Sequence, residues 1–197
     1  MRGAKLYDRT DLLDRAIELF RRQGFSGTST AELVEALGVN RKSMYAEFGS
    51  KEGLFQAALE RYRDEHLTRV LAPIEAPDAD DRSIRCAFEA YARASRGRFN
   101  GLGCLMCNTA VERAALDPES GKMVAAYLAR VKTAFRRALE NAKAVGRGGG
   151  HADLDKIADF LTMSLVGVSA LIRAKAPPEQ VEAAARVAVG LLDTQPG

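Results

Sequence analysis

Two short stretches hold residue types that could do chemistry. The first is GVNRKSMYAEFGSKEGLF, Gly38 to Phe55, where Arg41 and Lys42 stand beside Ser43 and Tyr45 just after a glycine. Arginine or lysine can donate to guanine O6 and N7 or to a phosphate. A serine hydroxyl meets either base or phosphate, and a tyrosine hydroxyl can reach a phosphate. The second is CLMC, Cys104 to Cys107. A C-x-x-C spacing can chelate a soft metal or close a redox disulfide. On a helix the same spacing makes two neighbours on one face, where a free cysteine packs as a small hydrophobe. No second C-x-x-C exists, and His66 and His151 are isolated in sequence. Packing and thiol or metal sensing both remain open, and no bound metal or other cofactor is expected.

The elements that must position these residues are helical. In DLLDRAIELFRRQG, Leu13, Ala16, Ile17 and Phe20 recur at three- and four-residue steps, with Asp8 or Thr10 to cap the start and Gly24 to end it. In TSTAELVEALG, Ser29 and Glu32 have capping-box spacing, Leu33, Val34 and Leu37 form an apolar face, and Gly38 stops the helix. Asn40 caps a third helix that carries Met44, Tyr45 and Phe48. Ser50 caps a fourth that carries Leu54, Phe55, Ala58, Leu59 and Tyr62. Three short helices, a glycine turn between the second and third, and cations opening the third make a helix-turn-helix, because a helix fits the major groove and its N-terminal residues meet base edges there. The candidate DNA contacts are Asn40, Arg41, Lys42, Ser43 and Tyr45 on the third helix. Ser29 and Thr30 join them at the start of the second, and Lys51 at the start of the fourth, where helix N-termini can receive phosphates. Arg2, Lys5 and Arg9 could form a mobile basic arm.

Beyond Tyr62 the helical pattern is expected to break in APIEAPDADD, at two prolines and a run of acids. It resumes in RSIRCAFEAYARASRGR, loops at FNGLG, and continues in a shorter helix from CLMC. A long amphipathic helix follows, with Met123, Tyr127, Val131 and Phe135 on an i, i+4 ladder. GRGGG reads as a linker, and two apolar helices separated by Pro177 and Pro178 end the pattern. No convincing strand and no internal repeat appears, so the fold class is all-α.

Bulk properties narrow the function. The 197 residues are 47% hydrophobic and 28% charged, an ordinary globular composition with enough chain for a sizeable core. A net charge of +3 proves no polyanion partner, so a nucleic-acid reading rests on placement. Three cysteines form no disulfide framework and fit reduced thiols. No signal peptide is read at the N-terminus. The longest nearly apolar run, Leu161 to Ile172, falls short of a bilayer span. The expected location is the cytoplasm, with no membrane partner.

AIELFRRQGF and TSTAELVEALGVNRKSMYAEFGSKEGLF resemble the N-terminal domain of the TetR/AcrR family of bacterial transcriptional regulators. The specific parts are the GV turn, the Y-x-x-F of the third helix and the SKE-x-L that opens the fourth. Gly53 departs from the pattern, standing where the family often has glutamate or alanine, at a helix-propensity cost of about 1 kcal/mol. The resemblance implies a non-enzymatic all-α homodimer. Residues 1–50 would form a three-helix helix-turn-helix domain on a palindromic double-stranded DNA operator, with repression the default sign. Residues 51–197 would form a larger helical domain that binds a small-molecule effector and dimerises.

Within that second part, the candidate effector residues are Phe88 and Tyr91, then Cys104, Met106, Cys107 and Asn108. Tyr127, Phe160 and Met163 complete the set. Asn108 and Glu112 are the more telling polar groups, since a buried one needs a partner. The last two helices carry dense apolar stripes and the small residues Gly167, Ser169, Ala170, Ala183, Ala184 and Ala185, which suit close helix approach across a dimer axis. Three other readings stand beside this one: a thiol or metal sensor of the same fold working through Cys104 and Cys107, a helical thiol-disulfide enzyme built on the C-x-x-C, and a DNA-binding protein with a solid core and no effector. GRGGGH lacks the order of a phosphate-binding loop, so nucleotide hydrolysis is unsupported.

Overall fold

A computed structural model describes residues 7–147 and 153–193. Ten α-helices follow one another in chain order, and no strand occurs among the described residues. The first four are α1 (Arg9–Gln23), α2 (Thr30–Leu37), α3 (Arg41–Phe48) and α4 (Lys51–Arg61). Their starts are set by side-chain caps. Asp8 accepts from Thr10 N at 2.9 Å, Asn40 from Ser43 N at 2.8 Å and Ser50 from Gly53 N at 3.0 Å. At α2 the capping box is complete: Ser29 Oγ accepts from Glu32 N and Glu32 Oε2 from Ser29 N. Each cap stabilises its helix by about 1 kcal/mol. Gly38 ends α2 at φ 65°, a left-handed conformation that turns the chain sharply into α3.

The apolar faces of these four helices meet in one cluster. Leu12, Ala16 and Phe20 of α1 are buried with Leu33 and Leu37 of α2, Met44 and Phe48 of α3, and Leu54 and Phe55 of α4. Phe55 sits edge-on to Phe20 at 4.9 Å and to Phe25 at 5.1 Å between ring centroids, the favoured aromatic arrangement.

The break expected at APIEAPDADD comes later than its first proline. The chain passes from α4 through a π-helical turn, Tyr62–Leu67, into α5 (Thr68–Glu75), which contains Pro73. Proline removes one helical hydrogen bond. Here Pro73 is exposed, so water can reach the Arg69 carbonyl that loses its helical donor, while Leu71 and Ile74 on the other face are buried and hold the turn in place. The helix stops only at Ala76.

The remaining helices are α6 (Asp81–Ala94), α7 (Leu105–Glu112), α8 (Pro118–Ala144), α9 (Leu154–Arg173) and α10 (Pro178–Gly190), with a short 3-10 turn at Leu191–Asp193. Packing runs chiefly α8 on α9, α10 on α6 and α10 on α9, with α7 wedged against α8, α9 and α1. The ladder read from sequence in α8 is the buried face: Tyr127, Val131 and Phe135 are inside, and Phe135 stacks on Phe88 of α6 at 6.0 Å. Asp117 caps α8 at Ser120 N, with Pro118 in the first turn, where a missing N–H costs nothing. Among the described residues, no helix is long and apolar enough to cross a membrane. Arg2 and Lys5 of the expected arm, most of the GRGGG linker and His151 lie outside the described residues.

Candidate functional site

The start of α3 carries the outward-facing chemistry. Met44 and Phe48 point into the core, which turns Arg41 and Lys42 to solvent, with Ser43 and Tyr45 half-buried beside them. Tyr45 ties the two helices of the motif together. Its hydroxyl lies 3.5 Å from Thr30 Oγ1 of α2 and accepts from Arg41 Nη2 at 3.4 Å, and the Arg41 guanidinium stands 5.4 Å from its ring centroid. The Thr30 hydrogen bond, followed by the Arg41 bond, draws the Tyr45 phenol below its ordinary pKa. Thr30, Arg41 and Tyr45 are therefore one connected group, with Lys42 and Ser43 next to it.

The other sequence candidates have jobs within the head. Ser29 and Asn40 use their side-chain oxygens as helix caps. Lys51 lays its ammonium 4.2 Å from the centroid of the Phe25 ring, which tethers the start of α4 to the α1–α2 loop. Arg9 is the first residue of α1 and pairs with Glu47 at 3.2 Å while covering the Phe48 ring, so it is a clasp between α1 and α3 and no part of a free arm.

Behind this head lies a cavity of about 460 Å³ between the π turn, α6, the loop before α7 and the end of α9. Tyr62, Leu67, Tyr91 and Ile172 form walls, and Arg21, Cys104 and Phe99 also face it. Of the effector candidates, Tyr91 and Cys104 line this space. Phe88 and Met106 are core residues, and Tyr127 is buried with its hydroxyl 3.9 Å from both Cys104 Sγ and Cys107 Sγ. Cys107 and Asn108 border a second, smaller space with Gln23 and Arg173. Phe160 and Met163 stand elsewhere. They are 40% and 65% exposed on the outer face of α9, opposite the buried Leu161, Leu165 and Ile172, so α9 turns them away from the interior.

Cys104 and Cys107 are free and buried at the start of α7. The hydrogen bond from Cys107 brings the Cys104 thiol down to about 6, helped by backbone N–H groups of that helix start, while the same bond and burial push Cys107 well up. Burial also raises the tyrosines around them, Tyr62, Tyr91 and Tyr127. Among the described residues no group of three or more histidine, cysteine or acidic side chains is placed to hold a metal ion.

Two links between head and body were beyond the sequence. Glu112, at the end of α7, accepts from Ser26 N at 2.7 Å and from Phe25 N at 3.1 Å, and the neighbouring Arg113 guanidinium lies 3.6 Å from the Phe25 ring centroid. Arg21, in the last turn of α1, donates through Nε at 3.0 Å and Nη2 at 2.5 Å to the Gly103 carbonyl. The sequence flags Glu112 as a polar group in need of a partner, but nothing in it marks Arg21. Asn108 is satisfied locally by the Leu102 carbonyl at 2.9 Å.

Known proteins share this plan. The family model for bacterial regulatory proteins of the tetR family matches residues 12–58, and the model for the tetracyclin repressor-like C-terminal domain matches residues 81–188. The HTH-type transcriptional regulator YezE of Bacillus subtilis (strain 168) is 29% identical over 190 residues, 96% of this chain and 98% of that protein. The HTH-type transcriptional repressor ComR of Escherichia coli (strain K12) is 32% identical over 90% of this chain and 85% of its own. A cysteine mutant of the TetR family regulator CifR, solved with 26-bp double-strand operator DNA, superposes with a TM-score of 0.79 at 27% identity, covering 94% of this chain and 97% of that one. The matches span both halves of the molecule, the reading helices and the helical body, and the chain belongs to the TetR family of DNA-binding bacterial transcriptional regulators.

Proposed function

We propose that the chain is a repressor that binds a palindromic operator as a homodimer and releases it when a small molecule enters the cavity behind Arg21. The observation that carries the reading is the outward group at the head of α3, Arg41 and Lys42 with Thr30 and Tyr45, mounted on helices whose other faces are buried. Arg41 and Lys42 would reach base edges or phosphates, with Ser43 beside them, and Thr30 would present the start of α2 to a phosphate. Ser29, Asn40 and Lys51 support that face by fixing helix starts. The repressor sign is taken from relatives: ComR, BdcR of Escherichia coli and DhaR of Mycobacterium sp. are named as transcriptional repressors. Residues 1–50 would act as reading head and residues 51–197 as effector and dimerisation domain.

Dimerisation has its own support. Phe160, Met163, Gly167 and Ala170 fall at three- and four-residue steps on the exposed side of α9, and Ala183 and Val187 stand exposed on α10, Val187 at 75%. Such a stripe needs cover, and a two-fold partner provides it with small residues at the centre. Two heads must then sit about 34–36 Å apart to read successive half-sites. A ligand preferring another spacing would weaken DNA binding by a coupling of about 1–3 kcal/mol. Footprinting on DNA from around the gene, with a solution mass of the free protein, tests this. A dimer mass and one protected near-palindrome are expected; a monomer, or protection without two-fold symmetry, would refute it.

A second reading, sensing through Cys104 and Cys107, starts from the lowered Cys104 thiol at the cavity wall. A thiolate there would be open to reaction with an electrophile. Loss of the response in Cys104→Ser, with operator binding kept, would select it; an unaltered response would remove it.

A further inference from the structure

The cavity is apolar in its walls and positive in its charges. Arg21, Arg93 and Arg98 face it, and among the described residues no aspartate or glutamate lines it. Arg93 pairs with Glu89 one helical turn before it at 3.5 Å, both side chains exposed. Arg98 stands over the Phe99 ring at 4.8 Å. Arg21 is half-buried, and among the described residues its guanidinium meets the Gly103 carbonyl and the rings of Tyr62 and Phe99, at 5.7 and 5.6 Å. The field has a local effect: after burial itself, Arg21 and Arg69 are what hold His66 below its ordinary pKa. A cationic group in a partly desolvated site is best satisfied by an anion.

We infer that the cavity takes an apolar carboxylic acid, whose carboxylate binds the Nε–Nη2 edge of Arg21 in place of the Gly103 carbonyl. This rests on the effector reading above and names its ligand class and its trigger. Two parallel N–H donors are the geometry a carboxylate accepts bidentately, whereas the Gly103 carbonyl offers both donors a single oxygen. A volume of about 460 Å³ suits an acyl or arylalkyl body against Tyr62, Leu67, Tyr91 and Ile172. Arg21 belongs to α1 and Gly103 to the loop that leads into α7. A carboxylate that draws Arg21 away from Gly103 therefore cuts a direct tie between reading head and body, so ligand binding and head position are linked through one side chain. A ligand amine would meet like charge and a neutral amide would offer only one acceptor, so both are discriminated against.

The test is calorimetry on the full chain without DNA, using octanoate and 4-phenylbutyrate, each beside its primary amide and its amine. Both acids are expected to bind at least about tenfold tighter than their amides, with the amines weakest. In Arg21→Gln the acid-to-amide ratio is expected to collapse toward one. A purely structural loss would lower both ligands alike and leave the ratio standing. Should Arg21→Gln fail to fold, Arg93→Gln/Arg98→Gln is expected to narrow the same ratio. The class is overturned if amides bind as well as acids, if neither acid binds at millimolar concentration, or if the ratio survives the charge-removing variant. Operator titration with and without the better acid tests the trigger: affinity should fall in the wild type and stay unchanged in Arg21→Gln, and release that persists in the variant overturns it. An unliganded protein that binds no operator is a separate failure, of the DNA reading, and leaves the calorimetric result standing.

Discussion

Replacing Glu112 with alanine removes a carboxylate that holds the α1–α2 loop against the body. The group accepts two backbone hydrogen bonds, from Ser26 N at 2.7 Å and Phe25 N at 3.1 Å. A hydrogen bond to a charged group contributes about 1.5–3 kcal/mol when well shielded. Glu112 is half-buried and Ser26 is exposed, so water can replace part of the loss. The expected cost is about 2 kcal/mol, equivalent to a fall of about 4–8 °C in Tm for a chain of this size. Glu112→Gln keeps the shape and one acceptor oxygen, so it should recover about half. Urea unfolding of the three proteins, with a constant slope, gives the numbers. A loss below about 0.5 kcal/mol for the alanine variant would show that water satisfies the loop as well as Glu112 does, and that head and body are not joined there.

Further expectations concern single residues. Phe20→Ala empties the centre of the ring cluster with Phe55 and should cost about 3–5 kcal/mol in chemical unfolding. Gly53→Ala separates two arguments: helix propensity predicts a gain of about 1 kcal/mol, but a Cβ there would lie 2.0 Å from the Phe48 carbonyl oxygen, so the packing argument predicts a net loss. Asn40→Ala should remove about 1 kcal/mol from the start of α3 and weaken operator binding without removing any DNA-facing cation. Alkylation of Cys104 by iodoacetamide requires the thiolate, so its rate, read at that residue by peptide mass because the free Cys86 is exposed, should rise with pH below the usual thiol range near 8.5; a midpoint near 8.5 would contradict the Cys107 hydrogen bond as its cause.

The local features could be read from the chain because their causes are local. Ser29 with Glu32, Asn40 with Ser43 and the left-handed Gly38 each act within a few residues, so composition and spacing reveal them. The apolar ladders of α1 and α8 were legible for the same reason, since a helix buries one stripe. The ties between head and body were not, because Arg21 meets Gly103 across 82 residues and Glu112 meets Phe25 across 87. Spacing alone also could not say which face of α9 turns inward. Phe160 and Met163 have the chemistry of cavity walls, but Leu161, Leu165 and Ile172 occupy the inner side and leave them outside. Pro73 misled in the other direction, because an exposed proline on a helix with a buried opposite face can be tolerated.

The most direct test of the central claim is fluorescence anisotropy with DNA fragments tiled around the gene, at two salt concentrations, comparing the wild type with Arg41→Ala/Lys42→Ala. Tight, saturable binding to one near-palindromic fragment is predicted, weakened by salt because cations displace counterions from phosphates, and lost in the variant. Equal binding to every fragment, or a variant that binds as the wild type does, would contradict the assignment of the α3 face as the reader of an operator.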